Sequence, residues 1–164
     1  MKSWLHPVRY VLALISLSAG LLLATACGGP QVIEPPVLHL GEDICDDCGM
    51  IISDPRYAGS YLYETGEKRY KSLIFDDIGD MMGHIKDHPE HTIAGMWVHD
   101  FETEEWIDAE SAFYVISTEI PTPMGHGILA VSSEAQAQKI AADVNGVIVD
   151  WGHARVEMAL AGHH

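Results

Sequence analysis

Apolar residues follow two different spacings along this chain, and the switches between them mark out its elements. Between residues 58 and 72, two short segments rich in tyrosine flank Thr65-Gly66-Glu67, the pattern of two strands joined by a turn. Ile74, Phe75, Ile78, Met81, Met82 and Ile85 then recur at helical spacing. Ser72 is the expected cap of that helix. Asp76 and Asp77 fall in its first turn, where carboxylates favour the positive end of the helix dipole, a role that outweighs metal binding for them. Pro89 closes the segment, and residues 92–99 read as another strand. The order is strand, strand, helix, strand.

It then repeats. Residues 112–117 and 127–131 give two strands with Pro121-Thr122-Pro123 looping between them. Ser132 or Ser133 caps a helix over residues 134–143, whose Ala137, Ile140 and Ala141 share a face with Val144. Asn145-Gly146 stops it, and residues 147–150 return as a strand. A last amphipathic segment, residues 154–160, is placed to cover an edge. Each half has about 50 residues, too few to bury a core alone. The expected fold class is α+β, with two tandem ββαβ units, residues 43–108 and 109–164, packed on each other.

The chain begins differently. Behind Lys2 and Arg9, residues 11–24 are almost wholly apolar. A run of about 14 residues suits the core of a signal peptide and falls short of the roughly 20 that a bilayer needs. Ala24-Thr25-Ala26-Cys27 resembles the lipobox of bacterial lipoproteins, with Ala24 standing where leucine is usual. Residues 1–26 are therefore read as a signal peptide and Cys27 as a lipidated first mature residue; an ordinary signal peptide cut nearby is the alternative. Gly28, Gly29, Pro30, Pro35 and Pro36 make residues 27–42 a linker between anchor and working domain.

Composition narrows the partners. At 48% hydrophobic the chain is too apolar for a disordered acidic tail. Its 24 acidic residues against nine basic ones give a net charge of −15, deepening to −17 once Lys2 and Arg9 leave with the signal peptide. Nucleic acid and anionic headgroups would be repelled, which leaves cations and proteins with a basic face.

Candidate chemistry gathers at two places. The first is Cys45-Asp46-Asp47-Cys48-Gly49-Met50, which holds the only thiols left if Cys27 is lipidated. A C-x-x-C spacing lets both sulfurs converge on one ion or on each other. Gly49 permits a sharp turn that swings the Met50 thioether back toward them. Thiolates with a thioether form a soft set suited to Cu(I). A structural disulfide and a redox-active pair remain open on the local motif, although the neighbouring Asp46 and Asp47 should raise the thiol pKa values and oppose a reactive thiolate. The second place is Met124-Gly125-His126-Gly127, where a thioether and an imidazole two residues apart would point the same way on extended backbone. His84 and His88 share a helix face and lie near His91; such a pair can bind metal, but a solvated polar helix end is the better account of them. His163 and His164 read as a tail that would confuse a metal titration, and Trp97, Trp106 and Trp151 as core or interface anchors.

Residues 45–50, then Phe75-Asp76-Asp77-Ile78, then Met124-Gly125-His126-Gly127-Ile128-Leu129-Ala130 together resemble the NosL family, lipid-anchored accessory proteins of nitrous oxide reductase. The resemblance spans about residues 45–151. It implies two ββαβ units related to the organomercurial lyase core, and a protein that is not an enzyme. It implies Cu(I) held outside the cytoplasmic membrane and passed toward the copper centres of the reductase with help from a membrane transporter complex. By the same resemblance Cys48 and Met50 match the family's cysteine–methionine motif, and Met124 and His126 its downstream Met-Gly-x-Gly segment. Cys45 would be an auxiliary or transfer ligand. An extracytoplasmic thiol–disulfide oxidoreductase using Cys45 and Cys48 is the alternative function.

Overall fold

The computed structural model describes residues 32–66 and 68–161. The leader with Cys27, Glu67 of the expected turn, and His163 and His164 lie outside the described residues. Two antiparallel sheets and three longer helices carry the fold. In the first half β1 (Gly59–Gly66) pairs with β2 (Arg69–Phe75), helix α1 (Ile78–Asp87) follows, and β3 (Ile93–His99) returns on the other side of β1. In the second, β5 (Phe113–Ile116) pairs with β6 (Ile128–Val131), helix α2 (Glu134–Asp143) follows, and β7 (Val147–Val149) returns beside β5. The sheet orders are β2-β1-β3 and β6-β5-β7, so the first strand of each half is the central one. The expected duplication is visible in the topology. A short β4 (Trp106–Asp108) extends the first sheet beyond β3; the sequence pattern gave no sign of it.

One boundary differs from expectation. Helix α1 starts at Ile78, and its cap is Asp77, whose Oδ1 accepts the Gly79 N–H at 2.8 Å. Ser72 instead lies in β2, with its hydroxyl 3.3 Å from that of Ser60 on β1. Ile74 and Phe75 also belong to β2, paired with Ser60 and Gly59. Cross-strand pairing holds these residues extended, and the carboxylate that can satisfy an orphan helix N–H decides where the turn begins. Ser133 caps α2 as expected, its hydroxyl accepting the Gln136 N–H.

Strands β5 and β6 of the second sheet are buried on both faces, and their residues alternate accordingly, whereas Val147 and Ile148 of β7 are exposed. Tyr114, Ile128 and Ala130 join a core with Tyr61, Phe75, Met81, Trp151 and Met158. Their neighbours Val115, Leu129 and Val131 join a second cluster with Ala137 and Ala141 of α2. Helix α3 (Trp151–Ala161) packs on α1, β5 and β7, burying Trp151, Ala154 and Met158. Of the other tryptophans, Trp106 is half-buried and donates its indole N–H to the Pro36 carbonyl at 3.0 Å, which fixes that stretch of the expected linker to the first sheet. Among the described residues no helix is long and apolar enough to cross a membrane.

Candidate metal centre

The segment from Cys45 to Met50 is a closed loop. Ile44 and Ile51 form an antiparallel bridge at its neck, and the Cys45 N–H donates to the Met50 carbonyl at 2.8 Å. Gly49 takes φ +76°, a conformation costly for residues with a Cβ, and its N–H reaches the Cys45 carbonyl at 3.1 Å. The Cys48 N–H points at the Cys45 sulfur, 3.5 Å away. Asp46 fastens this loop to the sheet: its N–H donates to the Ile74 carbonyl and its carboxylate accepts the Ile74 N–H, both at 2.8 Å.

Docked there, the thiols meet the start of α1. Cys48 Sγ lies 3.4 Å from Asp76 Oδ1, and Cys45 Sγ lies 4.0 Å from Asp80 Oδ2. One donor atom from each of these four residues falls within 4.8 Å of the other three. Both cysteines are free. Asp76 Oδ2 is buried and makes no hydrogen bond, a costly condition for a carboxylate oxygen unless a cation or proton is meant for it. Burial pushes the Cys45 thiol up to about 12, against the pull of the Asp76 and Cys48 backbone, and raises Cys48 as well, where the Asp76 carboxylate adds to the rise. The aspartates expected to do this, Asp46 and Asp47, are not the cause. Asp46 is engaged with Ile74, and the Asp47 backbone pulls Cys45 the other way.

The second motif reaches the same helix end. Asp77, fully buried, accepts the Met124 N–H on Oδ2 at 3.1 Å while its Oδ1 caps α1. Gly127, at φ +66°, has the Ser117 carbonyl where a Cβ would stand, and Ser117 N–H donates to the Gly127 carbonyl at 2.9 Å. That tight turn sends His126 onto α1. Its Nε2 is 2.8 Å from Asp80 Oδ1, and the hydrogen bond holds His126 above the usual histidine range despite burial. Helix α1 admits the ring because residue 79 is glycine; a Cβ there would collide with the imidazole.

Asp80 therefore touches both halves, with Cys45 on one oxygen and His126 on the other. Of the expected residues, Cys45 and Cys48 lie in the four-donor cluster, and His126 stands one hydrogen bond from it. Met50 and Met124 are 46% and 38% exposed, at the surface. Asp76, set aside in the sequence as a dipole partner, and Asp80, which the pattern did not single out, are the further donors of this candidate site. An aspartate in a first helical turn looks like a dipole partner, and only the contact with the cysteine loop distinguishes these two.

The NosL family model matches residues 36–159. The chain belongs to the NosL family. A relative, the copper-binding lipoprotein NosL of Stutzerimonas stutzeri, is 32% identical over 151 residues, covering 79% of this chain and 76% of its own. The crystal structure of the copper chaperone NosL from Shewanella denitrificans superposes with a TM-score of 0.59 at 21% identity, covering 72% of this chain and 96% of that one. At that identity the likeness speaks for the fold, and the α+β arrangement described above is a NosL fold.

Proposed function

We propose that this chain is a lipid-anchored, extracytoplasmic Cu(I) carrier, with no catalytic turnover, that takes up one ion and yields it for assembly of the copper centres of nitrous oxide reductase. The observation that carries the reading is the convergence of Cys45, Cys48, Asp76 and Asp80, with His126 of the other half attached through Asp80. The two thiols supply the soft donors that a monovalent copper ion selects. Three or four ligands come from Cys48, Met50, Met124 and His126, with Cys45 as an auxiliary ligand. Cys48 is the more open of the two thiols and would exchange the ion with a partner; Cys45, 2% exposed, would retain it.

Thiol–disulfide exchange needs a thiolate at neutral pH. Burial moves both thiols away from that state, which favours the carrier over the oxidoreductase. The names of the two NosL relatives, a copper-binding lipoprotein and a copper chaperone, support the cargo and the anchor at Cys27. The surplus of carboxylates suits docking on a basic face of the reductase or of its membrane transporter complex, an encounter that should weaken with salt.

Anaerobic titration with Cu(I) against a chromophoric chelator should saturate at one equivalent. Cys48→Ala should abolish tight binding, and X-ray absorption of the loaded chain should count at least two sulfur neighbours. Equal or greater affinity for Zn(II), or an unchanged affinity in Cys48→Ala, would refute the assignment.

A further inference from the structure

Helix α1 carries a second cluster of donors at its other end, and nothing in the copper-carrier reading uses it. Asp80, His84 and His88 recur every fourth residue along one face of the helix, so the stripe that begins at the cysteine loop ends in imidazoles about 12 Å further along the axis. His88 caps the C-terminus of α1, its N–H donating to the His84 carbonyl at 3.0 Å, and the His91 N–H donates back to the His88 carbonyl at 3.1 Å. That turn brings His88, Glu90 and His91 together. One donor atom from each lies within 4.8 Å of the other two. His88 Nδ1 is 2.9 Å from Glu90 Oε1, and His91 Nε2 is 4.0 Å from the same oxygen.

The surroundings hold these rings in place. The buried Tyr61 hydroxyl sits 2.8 Å from Nδ1 of His91 and 2.8 Å from Nδ1 of His84. The Tyr63 ring stacks on His91 with centroids 3.8 Å apart. His91 thus has one nitrogen engaged by an outer hydrogen bond and the other, Nε2, turned toward Glu90, the arrangement that fixes tautomer and ring plane in a metal-bound histidine. In a tetrahedral site with bonds of about 2.0–2.1 Å, donor atoms stand about 3.3 Å apart, so these three need only small side-chain adjustments to share an ion. A helix C-terminus adds its partial negative charge. Glu90 is largely open to solvent and His88 partly so, which leaves a coordination position for water or for a group from another molecule.

We propose that His88, Glu90 and His91 form a second metal site, specific for a divalent ion of borderline softness, Cu(II) or Zn(II). Two imidazoles and a carboxylate, with no sulfur, disfavour Cu(I) and select this class. The site is separate from the thiol cluster and does not depend on it. Tyr61 is a positioning residue for His91, and His84 is held beside the site by the same hydroxyl.

The test uses the full chain with Cys45→Ser, Cys48→Ser, His163→Ser and His164→Ser, which removes the thiol site and the terminal imidazoles. Titration with Cu(II), followed by electron paramagnetic resonance, should saturate at one equivalent with coupling from two imidazole nitrogens. Zn(II) should compete for the same equivalent. His88→Ala alters a half-exposed side chain and Glu90→Gln an exposed one; each should weaken uptake by at least ~10-fold, and Glu90→Gln should leave the melting temperature of the apo chain unchanged. In the unsubstituted chain, the His88 and His91 ring resonances should move on Zn(II) addition. No saturable uptake of either ion, unchanged affinity in His88→Ala, or a preference for Cu(I) in the chain lacking Cys45 and Cys48 would overturn the proposal. Failure of Cu(I) binding in the unsubstituted chain would bear on the thiol site alone.

Discussion

Gly79→Ala sets two well-measured effects against each other, and the structure decides between them. Residue 79 is the second of α1, where alanine is favoured over glycine by about 1 kcal/mol on helix propensity. Yet a Cβ at this position would lie 2.5 Å from His126 Cδ2 and 2.6 Å from His126 Cβ, far inside van der Waals contact. Displacing the ring costs about 1–3 kcal/mol in overpacking. Losing the His126–Asp80 hydrogen bond costs about 1.5–3 kcal/mol more, because at least one partner is charged. Set against the propensity gain, the variant should be destabilised by between about 1.5 and 5 kcal/mol, a fall in melting temperature on the order of 10 °C for a domain of this size. Gly152→Ala is the internal control. Gly152 is likewise the second residue of its helix, α3, and its added Cβ meets nothing closer than Asp150 Oδ1 at 3.4 Å. It should be neutral or stabilising. The deficit should also depend on pH in one direction. His126 has a raised pKa, so its bond to Asp80 contributes fully below the unfolded value of 6.5 and fades as pH rises through the folded value. Thermal melts of the apo variants, compared at about pH 6 and pH 9, should therefore show a wider Gly79→Ala gap at the lower pH. A Gly79→Ala chain as stable as Gly152→Ala at both would mean that His126 does not rest on α1.

Three further expectations follow from the same geometry. Binding Cu(I) through both Cys45 and Cys48, each protonated at neutral pH because burial raises it, must release two protons, so the apparent Kd should tighten ~100-fold per pH unit between about pH 6 and 8; a 10-fold slope would mean a single thiolate. His99 is buried against Trp106 with neither ring nitrogen in a well-formed hydrogen bond, and burial pushes its pKa down from 6.5 to about 4. The unfolded chain then binds the proton more readily, so stability is full above the unfolded value and falls by up to about 3 kcal/mol as pH drops toward 4; urea melts of His99→Phe should lack that portion of the acid loss. Asp77→Ala removes both the α1 cap and the acceptor for the Met124 N–H, and should cost about 2–4 kcal/mol by urea denaturation, where Asp77→Asn, which keeps an acceptor oxygen, costs less than half as much.

Much of this architecture was legible from periodicity, since both ββαβ patterns depend on local alternation and on turn residues that act within a few positions. The start of α1 was not. Ile74 and Phe75 stand at helical spacing from Ile78 and Met82, so a strand buried at its end is indistinguishable there from the first turn of a helix. Tertiary pairing with β1 settles it. The short β4 was hidden for a different reason: unlike the equally short β7, which Asn145-Gly146 announces, it has no turn signal in front of it. At the metal centre, cysteine, methionine and histidine announce themselves by residue type. Asp76 and Asp80 do not, because carboxylates are common at helix starts and their part depends on a loop about 30 residues earlier folding back against them.

The strap through Asp46 has an effect on the sheet as well as on the cysteines. Strand β2 is the outermost strand of the first sheet, and the outward N–H and C=O of Ile74 are covered by Asp46. Whatever unseats the cysteine loop therefore bares part of a sticky margin, an invitation for another copy to add its own strand. The seat of the cysteine loop and the cover of the sheet margin are thus tied to one backbone position, and a molecule that keeps the loop in place keeps that margin shielded.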